Sequence, residues 1–448
     1  MPAATSRQAS VPARQPHIVI IGCGFGGLAA AQALRDTRAR ITVVDKANHH
    51  LFQPLLYQVA TAALAPTDIA TATRALLRDQ YNTEVLMAEV TGIDPQHQRV
   101  NCAHRPPLEY DYLIVATGAA YSFFGKDHFQ QYVKVLKSVD DASAIRTHVL
   151  GSFEAAEQTT HQQTLRTLLT FVIVGGGPTG VELAGAIAEL TRTTLACDFR
   201  WIHSSDVRVV LCESGERLLA GFAPELSEYA MKALADLHVE VRLKTRVTDI
   251  DAQAVSIGEE RIPSVNVFWC AGTQARPAAQ WLAVPAARNG AIRVLEDCSV
   301  PDHPNIFAVG DVASYLKHDG NPLPGLAAVA KQQGRYVGRL LDARITYGDS
   351  AAPRFRYRNY GSLAVIGRSR AVAEIIGHKL KGRLAWVIWS LVHLMLLVDF
   401  RSRLSVYLNW TWAWFTYGRG ARLLTGTEVQ QEAPRFLAAI GPDRGRGV

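Results

Sequence analysis

The chain writes one strand–turn–helix fingerprint twice, and nothing else in it limits the fold so strongly. The first copy is HIVIIGCGFGGLAAAQAL, with Gly22, Gly24 and Gly27 in G-x-G-x-x-G spacing; the second is FVIVGGGPTGVELAGAIAE, with Gly175, Gly177 and Gly180. Each glycine recurs 153 residues on, and Ala184 matches Ala31. The spacing has a mechanical cause. The first glycine permits the tight turn, the second lets backbone approach a pyrophosphate, the third allows close helix packing, and the helix N-terminus offers N–H groups to the anion. Such a fingerprint is weak alone, but here a buried strand precedes each copy and a small-residue helix follows it.

An acidic residue completes each copy. Asp45 closes the strand ITVVD, 23 residues after Gly22, where a carboxylate accepts from a ribose hydroxyl. In the second copy Glu213, at the end of VRVVLCE, stands 38 residues after Gly175, so the stretch from Arg192 to Asp206 is read as an insertion. A carboxylate at that position repels a 2′-phosphate and favours NADH over NADPH, with Arg217 nearby moderating the preference. Two dinucleotide sites imply two dinucleotides, and their simplest joint use is hydride passage between a nicotinamide and a flavin. Two more segments, YLIVATGA (112–119) and NIFAVGDVA (305–313), read as buried strands ending in small-residue turns. The second places Asp311 where its carboxylate meets a flavin ribityl or phosphate-bridging group.

At 448 residues, with 48% hydrophobic and 19% charged side chains, the chain is long enough for two or three domains and too apolar for wholesale disorder. Six cysteines, at 23, 102, 197, 212, 270 and 298, show no CxxC or metal-ligand spacing and no two within six residues of each other. That pattern predicts a reducing compartment, no metal site and no disulfide relay beside the flavin. No apolar signal segment opens the sequence, so the protein is expected to begin inside the cell. Charge is unevenly placed. Residues 354–448 carry 15 Lys plus Arg against 5 Asp plus Glu, whereas the first 353 residues are slightly acidic, with 32 against 35.

That basic tail also holds Trp386, Trp389, Trp410, Trp412 and Trp414, five of the eight tryptophans, among runs such as VIWSLVHLMLLV. Nucleic-acid grooves gain little from Leu and Val, so a lipid surface is the expected partner and nucleic acid is not. The apolar run Leu384–Phe400 is 17 residues long. As a helix it reaches about 26 Å, short of a hydrocarbon core of about 30 Å. In the next segment Val406, Trp410, Ala413, Trp414 and Tyr417 share one helical face, bounded by Arg403, Arg419 and Arg422, which predicts a helix lying in the interface through that face.

The two folds and their order resemble the two-dinucleotide flavoprotein reductases, in which an FAD fold is interrupted by an NADH fold. Nearer still, DKANHHLFQPLLYQVATAAL (45–64), ATGAAYSFFG (116–125), GGGPTGVELAG (175–185), NIFAVGDVA and HKLKGRLAWVIW (378–389) resemble the type II NADH:quinone oxidoreductases, single-subunit respiratory dehydrogenases that pump no protons. The resemblance implies bound FAD, NADH as donor, a membrane quinone as acceptor, and a homodimer at the cytoplasmic face of the cell membrane. The family carries an Ala-Gln-x-Ala-x-Gln signature beside the flavin and quinone pocket. Here that stretch is Ala327-Ala328-Val329-Ala330-Lys331-Gln332, so Ala328 replaces the first glutamine and leaves Gln332, with Gln333 beside it, as the polar candidates. The resemblance further implies that Glu182 positions NADH and tunes hydride transfer, that Gln58 lies near the flavin, and that Lys379 lies close to the redox centre. An acid at position 182 is otherwise explained as complementing the dipole of the helix first turn.

The expectation is therefore an α/β chain: tandem Rossmann-like domains for FAD (16–125 and 290–345) and NADH (126–289), after a disordered lead (1–15), with a C-terminal amphipathic-helix membrane region (346–448). Candidate catalytic residues are Glu182, Gln332 and Gln333. Candidate cofactor contacts are Gly22, Gly24, Phe25, Gly26, Gly27, Asp45, Lys46, Gln58, Ala116, Thr117, Gly118, Gly175, Gly177, Pro178, Thr179, Gly180, Glu213, Ala271, Gly272, Gly310, Asp311, Ala327, Ala328 and Lys379. Sulfide:quinone and ferredoxin-type reduction are alternative chemistries, disfavoured by the cysteine placement and the membrane tail respectively. A non-catalytic nucleotide sensor is a third reading.

Overall fold

The structure, a computed structural model, describes residues 14–195, 198–348, 353–416 and 422–424. These fall into two compact units, each assembled from separated stretches of chain. One comprises the residues up to 50 with 72–120 and 274–357; the other comprises 51–71, 121–273 and the residues from 358 onward.

The first unit is built on a six-stranded sheet in the order Ser299–Val300, His303–Ala308, Tyr112–Val115, His17–Ile21, Arg40–Asp45, Thr83–Met87. The strands are parallel apart from the edge hairpin 299–308. Their near-continuous apolar runs follow from burial on both faces. Ile18, Ile20, Ile41 and Val43 point to one side, where they pack with Leu28, Ala30 and Ala31 of the helix Phe25–Ala33 and with Val337 and Leu341 of the long helix Ala327–Tyr347. Val19, Ile21 and Val44 point to the other side and meet Ala278, Ala279 and Leu282. That second contact carries residues 274–289, expected in the NADH domain, into this unit. Helix 327–347 lies very close to helix 25–33, since a Cβ on Gly334 would stand 2.0 Å from the Gly26 carbonyl oxygen.

The second unit repeats the plan with four parallel strands in the order Val239–Arg242, Arg208–Cys212, Thr170–Val174, Asn266–Trp269. The expected insertion after the nucleotide-binding helix Pro178–Glu189 takes the form of a π-helical turn, Leu190–Leu195, and a 3-10 turn, Ser204–Asp206. A helix Val139–Glu157 starts at Ser138, whose hydroxyl accepts from the Asp141 amide while the Asp141 carboxylate accepts from the Ser138 amide. The short helix Leu56–Ala60 packs on it, which places residues 51–71 here rather than with the flavin fold in which the sequence suggested them.

The C-terminal residues are structurally part of this second unit. A three-stranded antiparallel sheet, Ser362–Gly367, Arg370–Ile375 and His378–Gly382, packs on the nucleotide-binding helix, where a Cβ on Gly185 would come within 1.7 Å of the Ile366 carbonyl oxygen. Two helices follow, Arg383–Leu396 and Phe400–Thr416, separated where Leu397 turns to extended backbone. The 17-residue apolar run is thus broken after a helix of 14 residues, and no helix among the described residues is long and apolar enough to cross a membrane.

The interfacial face predicted from the sequence is only partly exposed, with Trp414 outward and Ala413 half-buried. Val406 is fully buried and Trp410 half-buried against the protein, with Tyr417 outside the described residues. The exposed face of that helix instead carries Leu404, Tyr407, Leu408, Trp412 and Phe415, and the preceding helix exposes Leu384, Val387, Leu391 and Met395. Apolar residues fill both faces, so spacing alone could not say which one the protein covers.

Candidate functional site: two matched nucleotide cradles

The two glycine loops have the same construction down to single hydrogen bonds. In the first unit Asp45 accepts the Cys23 amide at 2.6 Å through one carboxylate oxygen and the Ala47 amide at 2.8 Å through the other. In the second, Glu213 accepts the Gly176 amide at 2.5 Å and the Gly215 amide at 2.5 Å. Cys23 and Gly176 each follow the first glycine of the loop, and Ala47 and Gly215 each lie two residues beyond the acid. Each acid therefore braces the loop from inside, and the remaining lone pairs of each oxygen are what a ribose hydroxyl can use.

The glycines show why no other residue fits. A Cβ on Gly27 would stand 1.8 Å from the Gly22 carbonyl oxygen, and one on Gly180 the same 1.8 Å from that of Gly175. Gly24 and Gly177, by contrast, face open space, with nothing within 4 Å of a Cβ built there. Both stand immediately before their helices and neither helix has a side-chain cap, so first-turn N–H groups are left for an anion. Pro178, at the first helical position, has no N–H to lose, and Thr179 follows it within the same turn. The loops fit a dinucleotide pyrophosphate each.

Beside the first loop run Ala116, Thr117 and Gly118, since a Cβ on Gly22 would lie 2.4 Å from the Ala116 carbonyl oxygen. Ala271 occupies the matching place beside Gly175, at 2.9 Å from its amide nitrogen, and Gly272 leaves room for the Phe124 ring, 2.5 Å from a would-be Cβ. Phe25 sits edge-on to His50, whose Nδ1 donates to the Cys23 carbonyl at 2.9 Å. Gly26 is pressed by the Val309 side chain, 3.0 Å from a Cβ, and Lys46 projects from the surface.

Asp311 lies in the 3-10 turn Gly310–Val312, its carboxylate partly exposed beside Gly325 and without a protein hydrogen bond among the described residues, so it is open to a ligand hydroxyl. Gln333 is buried and its Oε1 accepts the Gly310 amide at 2.8 Å. It braces that turn. Gln332, Ala327 and Ala328 lie half-buried on the first turns of helix 327–347.

Glu182 departs from its simplest reading. It is the fifth residue of helix 178–189, past the first turn, and that turn contains no acid, so complementing the helix dipole does not explain it. Burial raises its carboxyl to about 8, and the Val365 amide donates to it at 3.4 Å. That shift keeps Glu182 a candidate functional residue.

Three other side chains have local partners. Lys379 pairs with Glu225 at 3.1 Å on the edge strand 378–382, which gives its ammonium a local role. Arg217 donates to the carbonyls of Phe222 and Ala220 at 2.6 Å each, which ties its guanidinium to its own loop. Gln58, only 8% exposed, donates to the Tyr57 hydroxyl and accepts from the Trp410 indole, both at 2.7 Å. Trp410 meets Gln58 and Ser405 meets Asp68; no local pattern in the sequence links positions more than 300 residues apart.

All five described cysteines are free, and burial pushes the thiols of Cys23 and Cys270 up to about 12 and that of Cys212 to about 11. None is poised as a thiolate.

Two braced glycine loops, each at the end of a parallel strand, define an oxidoreductase of the two-dinucleotide class. Residues 16–334 match the family model described as pyridine nucleotide-disulphide oxidoreductase, and residues 360–419 match the NDH2 C-terminal domain. The chain is 40% identical over 432 residues, 93% of its length and 92% of the relative's, to the type II NADH:quinone oxidoreductase Ndh of Mycobacterium tuberculosis, and 39% identical to NdhA of the same organism, with 97% of each chain covered. It belongs to the type II NADH:quinone oxidoreductase family. A solved structure of NDH2 from Plasmodium falciparum in complex with NADH shares its fold, with a TM-score of 0.85 and 22% identity over 92% of this chain and 100% of that one.

Proposed function

We propose that this chain carries two electrons from NADH through FAD to a membrane quinone without pumping protons. The observation that carries the reading is the matched pair of braced cradles in a chain 40% identical along almost its whole length to an NADH:quinone oxidoreductase. Bound FAD supplies the hydride-accepting ring. The first cradle and Asp311 bind it, with Gln333 holding the Asp311 turn in place. The second cradle binds NADH, Glu213 selecting the ribose that lacks a 2′-phosphate. Glu182, protonated below about 8, presents a neutral, hydrogen-bonding carboxyl, so NADH enters without repulsion from a buried negative charge. The described cysteines are free, and burial raises the thiols of Cys23, Cys212 and Cys270, which supports a path without a sulfur relay.

The finer assignments rest on the C-terminal helices. Leu384, Leu391, Met395, Phe400, Leu404, Leu408, Trp412 and Phe415 are exposed on them, and lysines and arginines flank the first helix. That composition suits a monotopic seat in lipid with the basic groups at anionic headgroups. The face is cytoplasmic, because NADH is a cytoplasmic reductant. A homodimer is compatible with this seat, two copies sharing part of the apolar face and leaving the rest to lipid.

The test is a comparison of donors on the purified, lipid-supplemented enzyme. NADH should bleach a bound flavin and support quinone reduction, NADPH should be at least about tenfold poorer in kcat/KM, and sulfide should be inert. Sulfide outrunning NADH, or a colourless protein, would overturn the reading.

A further inference from the structure

The acid of the second cradle does not stand alone at its end of the sheet. Strands 208–212 and 239–242 are parallel neighbours, with Cys212 opposite Arg242, and they stay joined past their carboxyl ends. The Glu213 amide donates to the Arg242 carbonyl at 2.8 Å, the Thr245 amide to the Glu213 carbonyl at 2.8 Å, and the Lys244 amide to the Gly215 carbonyl at 2.9 Å. Gly215 is also one of the two residues whose amides the Glu213 carboxylate accepts. Lys244 is therefore pinned by its backbone to the loop that Glu213 braces, in a left-handed conformation with φ 53°. Its ammonium lies 3.1 Å from the carboxylate of Glu216, three residues after the acid.

The basic groups around this loop are not equivalent. Arg242 donates to the Glu240 and Glu260 carboxylates at 2.6 and 2.7 Å, and Arg217 donates to carbonyls of its own loop. Lys244 and Glu216 meet in the open, with side chains 70% and 84% exposed. An exposed pair of this kind contributes little to stability, so its loss leaves the fold intact. A nucleotide on a parallel sheet lies outside the carboxyl ends of the strands, with its adenosine ribose at the acid. NADPH differs from NADH there by a 2′-phosphate, which carries about −1.5 to −2 charge at neutral pH and presents strong acceptor oxygens. An ammonium serves such a group as a point charge. Lys244, hydrogen-bonded into the loop of the acid itself, is a cation placed to receive it, and Glu216 already holds that cation.

We propose that Glu216 is a specificity-determining residue of the second cradle: by pairing with Lys244 it occupies the ammonium that a 2′-phosphate would otherwise recruit, and so adds to the exclusion of NADPH by Glu213. The inference rests on the second cradle holding NADH with Glu213 at its ribose, and extends that reading to two residues beyond the acid. Neither residue acts on the hydride. Their effect is on nucleotide binding.

The experiment uses the full-length holoenzyme in lipid, with NAD+ and NADP+ as probes. They differ only in the 2′-phosphate, and their binding to the oxidised enzyme is read by titration calorimetry without turnover. Glu216→Gln should tighten NADP+ about tenfold, the lower end for a charge-assisted hydrogen bond, and leave NAD+ within about twofold. The gain should shrink as salt is raised, because both groups are exposed. The kcat/KM for NADPH should rise by the same factor as NADP+ affinity. Lys244→Met in the Glu216→Gln background should remove the gain, whereas Lys244→Met alone should not improve NADP+.

Unchanged NADP+ affinity in Glu216→Gln would overturn the inference. So would a gain that survives Lys244→Met, since the carboxylate would then act by its own charge and not through the lysine. A third variant separates this failure from that of the underlying reading. Glu213→Gln should raise NADP+ affinity relative to NAD+ whether or not Glu216 is intact. If it does so while Glu216→Gln has no effect, the pair is not a determinant and the second cradle still holds NADH. If both variants leave the ratio unchanged, the inference falls together with the placement of the NADH ribose at Glu213.

Discussion

At the scale of single residues, the chain places acids in unlike surroundings. Asp45 and Glu213 each collect two backbone N–H groups, an arrangement that suits a charged carboxylate. Glu182 has one long contact and a desolvated site, and its carboxyl is pushed up to about 8. That shift has a consequence for stability. An unfolded glutamate titrates at about 4.3. Between that pH and about 8 the folded chain holds a proton that the unfolded chain has released. The contribution is therefore fully present below the unfolded value and is lost as pH rises through the folded one, by at most about 1.4 kcal/mol per pH unit. Glu182→Gln should flatten this dependence and melt higher than the parent at pH 8, with little difference at pH 4.5. It should also slow flavin reduction by NADH at neutral pH, measured in a stopped-flow single turnover. Parallel melting curves for parent and variant across that range would show that Glu182 is not held protonated by burial.

At the scale of elements, the C-terminal helices show what periodicity can and cannot reveal. The sequence correctly marked 384–416 as amphipathic or apolar, because Leu, Val and Trp crowd it. It could not tell the protein-facing side from the outward side, because both carry large apolar groups. The deciding contacts are long-range: Trp410 to Gln58, Ser405 to Asp68, and His393 between Trp389 and Phe52. His393 illustrates the cost of that packing, since burial lowers its imidazole to about 4 and keeps it neutral. If the outward face is the lipid seat, charging it should release the enzyme without touching the nucleotide folds. Leu391 and Leu408 are 58% and 56% exposed, so Leu391→Glu with Leu408→Glu adds two charges at little cost to folding. Co-sedimentation with vesicles of mixed neutral and anionic lipid should fall at least about tenfold, since each charge opposes insertion by more than about 1 kcal/mol. NADH oxidation with ferricyanide should persist. Undiminished sedimentation of the double variant would move the lipid contact elsewhere.

At the scale of the whole molecule, the chain is one nucleotide-binding plan used twice with different closing pieces. That much was legible in the glycines alone, because each of the three positions answers to a steric or electrostatic demand that few residues meet. The boundaries were less legible. Residues 51–71 and 274–289 exchanged units relative to the linear reading, because their membership is decided by partners such as helix 139–157 and the strand 17–21, not by local composition. Local geometry was legible where the backbone sets it, as at Gly24 and Gly177, and a side chain's partner was not, as at Gln333, Arg217 and Lys379. The duplication also makes a discriminating test possible. Gly27→Ala and Gly180→Ala impose the same clash, 1.8 Å between the new Cβ and a carbonyl oxygen, in the two copies. If the first copy holds FAD, Gly27→Ala should yield protein with little flavin absorbance relative to its protein absorbance. Gly180→Ala should keep its flavin, and free FAD should not restore its activity, because the lesion lies in NADH binding and appears as a rise in NADH KM of about tenfold or more, the loss of one or two charge-assisted hydrogen bonds. Flavin loss from Gly180→Ala with flavin retained by Gly27→Ala would exchange the two assignments, and equal flavin loss from both would mean that the copies are not independent sites.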